Sequence, residues 1–208
     1  MLLAACAAPG GHEAAQGPAA EKEPIPAASS RQPGGASGVL DARQVAEVLP
    51  RQGAVPGAVA VGKRNVFGPT HPATGCARGK PTADLCADAL AIGHSLFSKK
   101  RQGTVTFSVM SYKNTSASAA AYDTLHTMWQ ADRDLTTLAI GPVGERREAR
   151  RGTHPGTGKP TMKAQVLVGT TLLHVETVGS YAEGDRLTQL ATMLAQRSER
   201  AQASRTGT

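Results

Sequence analysis

The chain has 208 residues, 40% apolar but only 3% aromatic, with a formal net charge of +7. It holds no apolar run of about eighteen residues, which excludes a hydrophobic spanning helix; the scarcity of aromatics to stack on bases, with no helix-turn-helix or zinc-finger pattern, excludes nucleic acid as a partner. The length suits one domain with an ordinary core, and the basic balance favours anionic partners such as phospholipid head groups or wall polymers.

In chain order the first signal is Leu3-Ala4-Ala5-Cys6, followed by Ala-Ala-Pro-Gly-Gly. It resembles a bacterial lipobox, whose cysteine is diacylated and becomes the first residue of the mature protein. On this reading residues 1–5 are the end of a signal peptide that begins upstream, because the basic and apolar regions such a peptide needs are missing. Cys6 is then the lipid anchor, holding the protein on the outer face of the cytoplasmic membrane. Residues 6–38 are rich in Ala, Gly, Pro, Ser, Glu and Gln and cannot bury enough surface to offset the entropy of ordering, so they read as a flexible spacer. About thirty such residues reach on the order of 30 Å.

The domain proper is expected over 39–201, with a disordered tail at 202–208. Asp41 is a good N-cap, Gln44 completes a capping box, and Leu40 can staple onto Val45. Val45, Val48 and Leu49 share a helical face until Pro50 ends it. Residues 58–61 suit a short strand, and 65–80, rich in Gly, Pro and Thr, suit a loop. Cys76 and Cys86 close that region. With Cys6 assigned to lipid they remain as one pair, expected as a disulfide in an oxidising compartment; the alternative is two reduced thiols in a cytosolic chain.

Residues 104–112 alternate, with Val105, Phe107 and Val109 on one side. Residues 92–98 are the expected hairpin partner, turning around 100–103. Asn114, Thr115 and Ser116 offer N-caps for a helix to about Ala131, whose face carries Tyr122, Leu125 and Trp129. A strand is expected over 135–143 and an exposed loop over 152–160. Gly169-Thr170 suits a type II′ hairpin turn, pairing Val168 with Thr171, Val166 with Leu173 and Ala164 with Val175 on a core face. The other face then pairs Gln165 with His174 and Lys163 with Glu176. A last helix over 183–200 buries Leu187, Leu190, Ala191 and Leu194. The economical arrangement is α+β: an antiparallel sheet with helices on one face and one intradomain disulfide.

No spacing specifies catalysis or a cofactor. His12, His71, His94, His126, His154 and His174 share no i, i+4 or H-x-H interval, and Cys76 and Cys86 lack zinc-ligand spacing. There is no G-x-S-x-G elbow and no S-x-x-K. Gly152 to Lys159 differs from a phosphate-binding loop because Pro160 stands where Ser or Thr is required. Asp84 with Asp88, and Asp132 with Asp134, are carboxylate pairs with no evident cause for a shifted pKa. Two binding surfaces remain: the open sheet face with Gln165, Leu167, Leu172 and His174, and a basic loop over 146–159 with Arg146, Arg147, Arg150 and Arg151. The ligand expected there is an anionic envelope component or a protein partner; alternatively, the arginines form a solvated surface.

The stretch Val166-Leu-Val-Gly-Thr-Thr-Leu-Leu-His-Val-Glu-Thr-Val178 and the helix Asp185-Arg-Leu-Thr-Gln-Leu-Ala-Thr-Met-Leu-Ala-Gln-Arg197 resemble the C-terminal part of actinobacterial exported sensor-like domains. That group includes the extracellular domain of mycobacterial membrane Ser/Thr kinases and related lipoproteins. The strand at 104–112, its following helix and the opening Leu40-Asp-Ala-Arg-Gln fit the same pattern, so the resemblance covers about 40–201. It implies a non-catalytic domain that binds a ligand or partner outside the cell. The kinase members hold a cleft with two disulfides, whereas this domain has cysteines for one. The alternatives are an envelope enzyme with dispersed catalytic residues, favoured if folding brings two of His94, His126 and His174 to a carboxylate, and a structural lipoprotein.

Overall fold

The structure, a computed structural model, describes residues 38–74, 76 and 82–204. The expected signal remnant 1–5, the acylation site Cys6 and the spacer up to residue 37 lie outside the described residues, as do the last four residues of the expected tail. The elements are α1 (Ala42–Val48), β1 (Val59–Ala60), β2 (Asn65–Phe67), β3 (Ala89–Lys99), β4 (Gly103–Tyr112), α2 (Thr115–Ala131), β5 (Thr136–Leu138), β6 (Arg146–Thr153), β7 (Pro160–Val168), β8 (Thr171–Gly179) and α3 (Gly184–Ala203). All strand pairs are antiparallel, in the order β1-β3-β4-β8-β7-β6-β5, with β2 also on β3.

Local chemistry sets the helix starts. The Gln44 amide donates to Asp41 Oδ1 at 2.9 Å and the Asp41 amide to Gln44 Oε1 at 3.0 Å, the reciprocal capping box expected at α1. Asn114 accepts from the Ala117 amide at 2.8 Å and opens α2. The β7–β8 hairpin has the expected register, including Gln165 opposite His174 and Lys163 opposite Glu176. Its turn places Gly169 at φ 51°, a region that favours glycine. Cys76 and Cys86 are joined in a disulfide, with Cα atoms 5.6 Å apart.

Alternation along the strands sorts side chains into two layers. One packs Val105, Phe107, Val109, Val166, Leu173 and Val175 against α1 and α3, through Val45, Leu49, Leu187 and Leu194. The other packs Ile92, Met110, Tyr112, Leu167 and Leu172 against α2, through Tyr122, Leu125 and Trp129. The α+β class, the antiparallel sheet and the disulfide therefore hold, but helices cover both faces and not one. The reason is the second apolar row: Leu167, Leu172 and Met110 alternate with the first and need a cover of their own. Three further expectations are corrected. Residues 146–153 form strand β6 where a basic loop was expected, and residues 65–67 form strand β2 inside the expected loop. The strand expected over 135–143 shrinks to β5.

Candidate functional site

The α2-facing side of the sheet changes character along its length. Beyond the apolar row under α2, the register aligns Glu148, Gln165, His174, Ser108 and His94 across β6, β7, β8, β4 and β3. The next row holds Arg150, Lys163, Glu176, Thr106 and Leu96 on the same strands. A single strand alternation thus yields a core layer on one face and a polar tract on the other.

Glu148 is the hub of this tract, its side chain 10% exposed. Its carboxylate accepts from His126 Nδ1 of α2 at 2.7 Å, from Gln165 Nε2 at 2.8 Å and from Arg150 at 2.6 Å. Burial pushes the Glu148 pKa up, but the hydrogen bonds from His126, Gln165 and Arg150, with the Arg150 charge, outweigh it and leave the carboxyl below its usual value. Arg150 is itself buried. Gln165 is fully buried, and its Oε1 has no hydrogen-bond partner among the described residues. Above this floor lies a cleft of about 450 Å³ between α2 and β6, bordered by Tyr122, His126, Thr137, Arg146 and Arg147. Arg146 donates to Asp123 and lies 4.2 Å from the centre of the Tyr122 ring. Among the described residues β5 pairs only with Ala149, Arg150 and Arg151, and the start of β6 has a free edge. Arg147 sits there, exposed and without a carboxylate partner among the described residues.

Farther along the tract His174 lies beside the Trp129 ring, with centroids 5.7 Å apart. Burial pushes its pKa down to about 4; Glu176 pulls it up, and Lys163 and His94 push it down. His94 Nδ1 lies 2.9 Å from Ser108 Oγ, and burial lowers its pKa as well. That separation suits a base and a nucleophile. Both residues lie mid-strand, however, and β4 is paired on both sides, so the amides around Ser108 belong to the ladders and are not free to hold an oxyanion. Among the described residues no group of three or more His, Cys, Asp or Glu could hold a metal ion.

Of the residues singled out in the sequence, Arg150 and Gln165 meet at Glu148, and His174 stands beside Gln165. Leu167 and Leu172, expected on an open face, are covered by α2. Arg151 lies apart from the hub, its Nε 3.4 Å from Thr136 Oγ1. Sequence reasoning missed Glu148 as a site residue and the partnership of His126 with it. The available signal was Glu148-x-Arg150, opposite charges two apart, which share a side only in a strand.

No family of known proteins matches the chain, and no curated protein matches it. Among solved structures the chain is similar in fold to the extracellular domain of PknH from Mycobacterium tuberculosis, at a TM-score of 0.59 and 11% identity, over 78% of this chain and 98% of that one.

Proposed function

We propose that this chain is an exported, membrane-tethered, sensor-like domain that binds a ligand and does not transform it. The α2–β6 cleft is the binding surface, and an anionic group of the cell envelope is its ligand. The observation that carries this reading is the division of labour around Glu148. The carboxylate is saturated by His126, Gln165 and Arg150, so it holds the cleft floor rigid and has no free lone pair aimed at a reacting atom. The rim carries exposed Arg147 beside Arg146, a cationic pair on a preorganised base. Export is supported by the Cys76–Cys86 bond, a feature of oxidising compartments, and by the likeness to an extracellular domain. Membrane tethering is supported by the lipobox-like Leu3-Ala4-Ala5-Cys6.

The binding test is titration of the protein with polyglycerol phosphate, an anionic wall polymer, at low and high salt. Arg147→Ala with His126→Ala is expected to weaken binding about tenfold and to flatten the salt dependence. Unchanged retention discards the cleft. Arg150 is left intact in this test because its removal strands buried Glu148. Mass spectrometry of the protein extracted from membranes tests the tether: a diacylated Cys6 is expected, and an unmodified Cys6 in the soluble fraction overturns it.

A second reading, an envelope hydrolase, is favoured by the His94–Ser108 contact. Labelling of Ser108 by a fluorophosphonate probe would support it, and an unlabelled serine would remove it.

A further inference from the structure

The sheet edge opposite the α2–β6 cleft gathers the exposed apolar residues. Among the described residues the exposed large hydrophobic side chains are Val59 at 64%, Val61 and Leu90 at 49% and Leu96 at 36%. Val59 lies in β1, Leu90 and Leu96 lie in β3, and Val61 extends β1 by donating its amide to the Leu96 carbonyl at 2.8 Å. Val59 is opposite Ser98, so the same ladder sets Val61 opposite Leu96. Leu96 and Ser98 alternate with the core residue Phe97, which faces α1 and α3. Val59, Val61 and Leu96 therefore share the other face, beyond the stretch around Ile92 that α2 covers. They form an open apolar row along the edge.

The charge along this edge has one sign. Residues 48–83 and 89–122, which supply β1, β2, β3, β4 and the β3–β4 turn, contain no Asp or Glu. Cations bracket the apolar row. Lys63 follows Val61 by two residues, and Lys100 and Arg101 follow Ser98, the partner of Val59, in the β3–β4 turn. All three are exposed and have no carboxylate partner among the described residues. Across the sheet from Leu96 the first carboxylate is Glu176 on β8, beyond Thr106, and Lys163 pairs with it at 3.5 Å. The positive field continues on the α1 side. There burial, followed by the charges of Arg200, Arg51 and Arg64, holds Arg197 below its usual pKa. Exposed apolar side chains flanked by unpaired cations mark an interaction surface with two chemistries.

We propose that this edge docks on the surface of an anionic phospholipid bilayer, an inference that rests on the reading of the chain as membrane-tethered. Lys63, Lys100 and Arg101 meet the head groups, and Val59, Val61 and Leu96 enter the boundary between head groups and acyl chains. A soluble polyanion matches the cations but leaves the apolar row in water. A second copy of the chain covers the row but sets like charges against each other. A bilayer containing acidic lipids offers both chemistries in one plane, so the cations and the apolar side chains need not touch. Docking by this edge turns the α2–β6 cleft, at the far end of the strand order, away from the membrane.

The test is co-sedimentation of the full chain carrying Cys6→Ser, so that no acyl chain contributes. The vesicles are equal parts phosphatidylglycerol and phosphatidylcholine, or phosphatidylcholine alone. Partition onto the anionic vesicles is expected to be at least about tenfold stronger and to fall with salt. Lys63→Ala with Lys100→Ala is expected to weaken it about tenfold or more at low salt. Val59→Ser with Val61→Ser, both at exposed positions, is expected to weaken it about tenfold with the salt dependence kept. A polarity-sensitive fluorophore on Val61→Cys is expected to shift to the blue on the anionic vesicles. Arg147→Ala with His126→Ala, which alters the α2–β6 cleft, is expected to leave partition unchanged. Equal partition onto both vesicles, no loss in the valine variant, or loss in the cleft variant alone would each overturn the proposal. So would a dimer in solution that the valine variant dissolves, since a second copy would then cover the row. No sedimentation with either vesicle also overturns it, leaving the lysines as guards of an open edge. That failure leaves the tether standing, because acylation of Cys6 is read separately on the native protein.

Discussion

Against α1 and α3 the sheet presents Val105, Phe107, Val109, Val166, Leu173 and Val175, none more than 1% exposed. On the other face the same strands carry Ser108, His174, Gln165 and Glu148 in the next register positions. One backbone serves both layers, so the contrast is set wholly by which residues occupy odd and even positions. The apolar layer stabilises without direction, roughly in proportion to area removed from water. The polar layer is directional: each buried group there is favourable only while its partner is in place. The candidate site lies on the second layer for that reason.

The largest expected effect tests the apolar layer. Phe107→Ala should cost about 3–5 kcal/mol, and Leu125→Ala, on α2 and 8% exposed, about 2 kcal/mol. Urea unfolding with an unchanged slope reads both. Equal losses would mean that α2 is anchored as firmly as α3 and that the layers do not differ in this way.

Glu148 is the corresponding test of the polar layer. Glu148→Gln should cost about 3 kcal/mol, because it leaves the buried Arg150 charge uncompensated. Replacing both partners, Glu148→Met with Arg150→Leu, should restore much of that loss. If the single variant is as stable as the parent, water reaches Arg150 and the hub is not a sealed floor.

Acid titration separates two members of the tract. His174 is held neutral to about pH 4 when folded, against an ordinary value of 6.5. The unfolded chain therefore takes up this proton first as pH falls. Stability is unaffected above pH 7 and drops between 6.5 and 4, by about 1.4 kcal/mol per unit at most and about 2–3 kcal/mol in all. The Glu148 carboxyl is depressed in the folded state, so its contribution is present above the ordinary carboxylate range and is lost only as pH falls through its folded value. His174→Gln should flatten the first window and leave the second. A loss of equal size in the variant would show that another group titrates there.

The disulfide belongs to the same face, since Cys86 and Leu85 pack in the α2 layer and Tyr112 donates to the Leu85 carbonyl at 2.7 Å. Reduction should cost about 2–3 kcal/mol by restoring the freedom of the short loop. The loss of the Tyr112 contact should be visible in near-ultraviolet circular dichroism before global unfolding, whereas a unaltered spectrum would mean that the loop is held without the bond.

The α1 capping box, the β7–β8 register and the buried stripe of α3 were legible in the sequence because each rests on contacts local in the chain. Position 44 answers position 41, and 165 answers 174 across a two-residue turn. What could not be read was which side of the sheet α2 would take, since that depends on how β8 returns beside β4. β6 was hidden for a different reason. Arg146, Arg147, Arg150 and Arg151 look like a solvated charge run until a tertiary partner, His126 on α2, supplies the second donor that lets Glu148 and Arg150 be buried. Much of the candidate site was therefore named from sequence, as Arg146, Arg147, Arg150, Gln165 and His174. Glu148, which binds the site together, was not named.

The smallest effect draws a line within the polar layer itself. Arg146 and Asp123 are paired with side chains 43% and 60% exposed, and an exposed ion pair contributes about 0–1 kcal/mol. Asp123→Asn should therefore change stability by less than about 0.5 kcal/mol, because Arg146 keeps its place over the Tyr122 ring. The same substitution releases the guanidinium toward the cleft and removes a competing negative charge. Polyglycerol phosphate should then bind about two- to threefold more tightly, a change of under 1 kcal/mol. Glu148 answers the opposite way, costing stability when altered. If Asp123→Asn destabilises the fold and leaves binding unchanged, the rim is structural like the floor, and the division between a rigid base and a free cationic rim is lost.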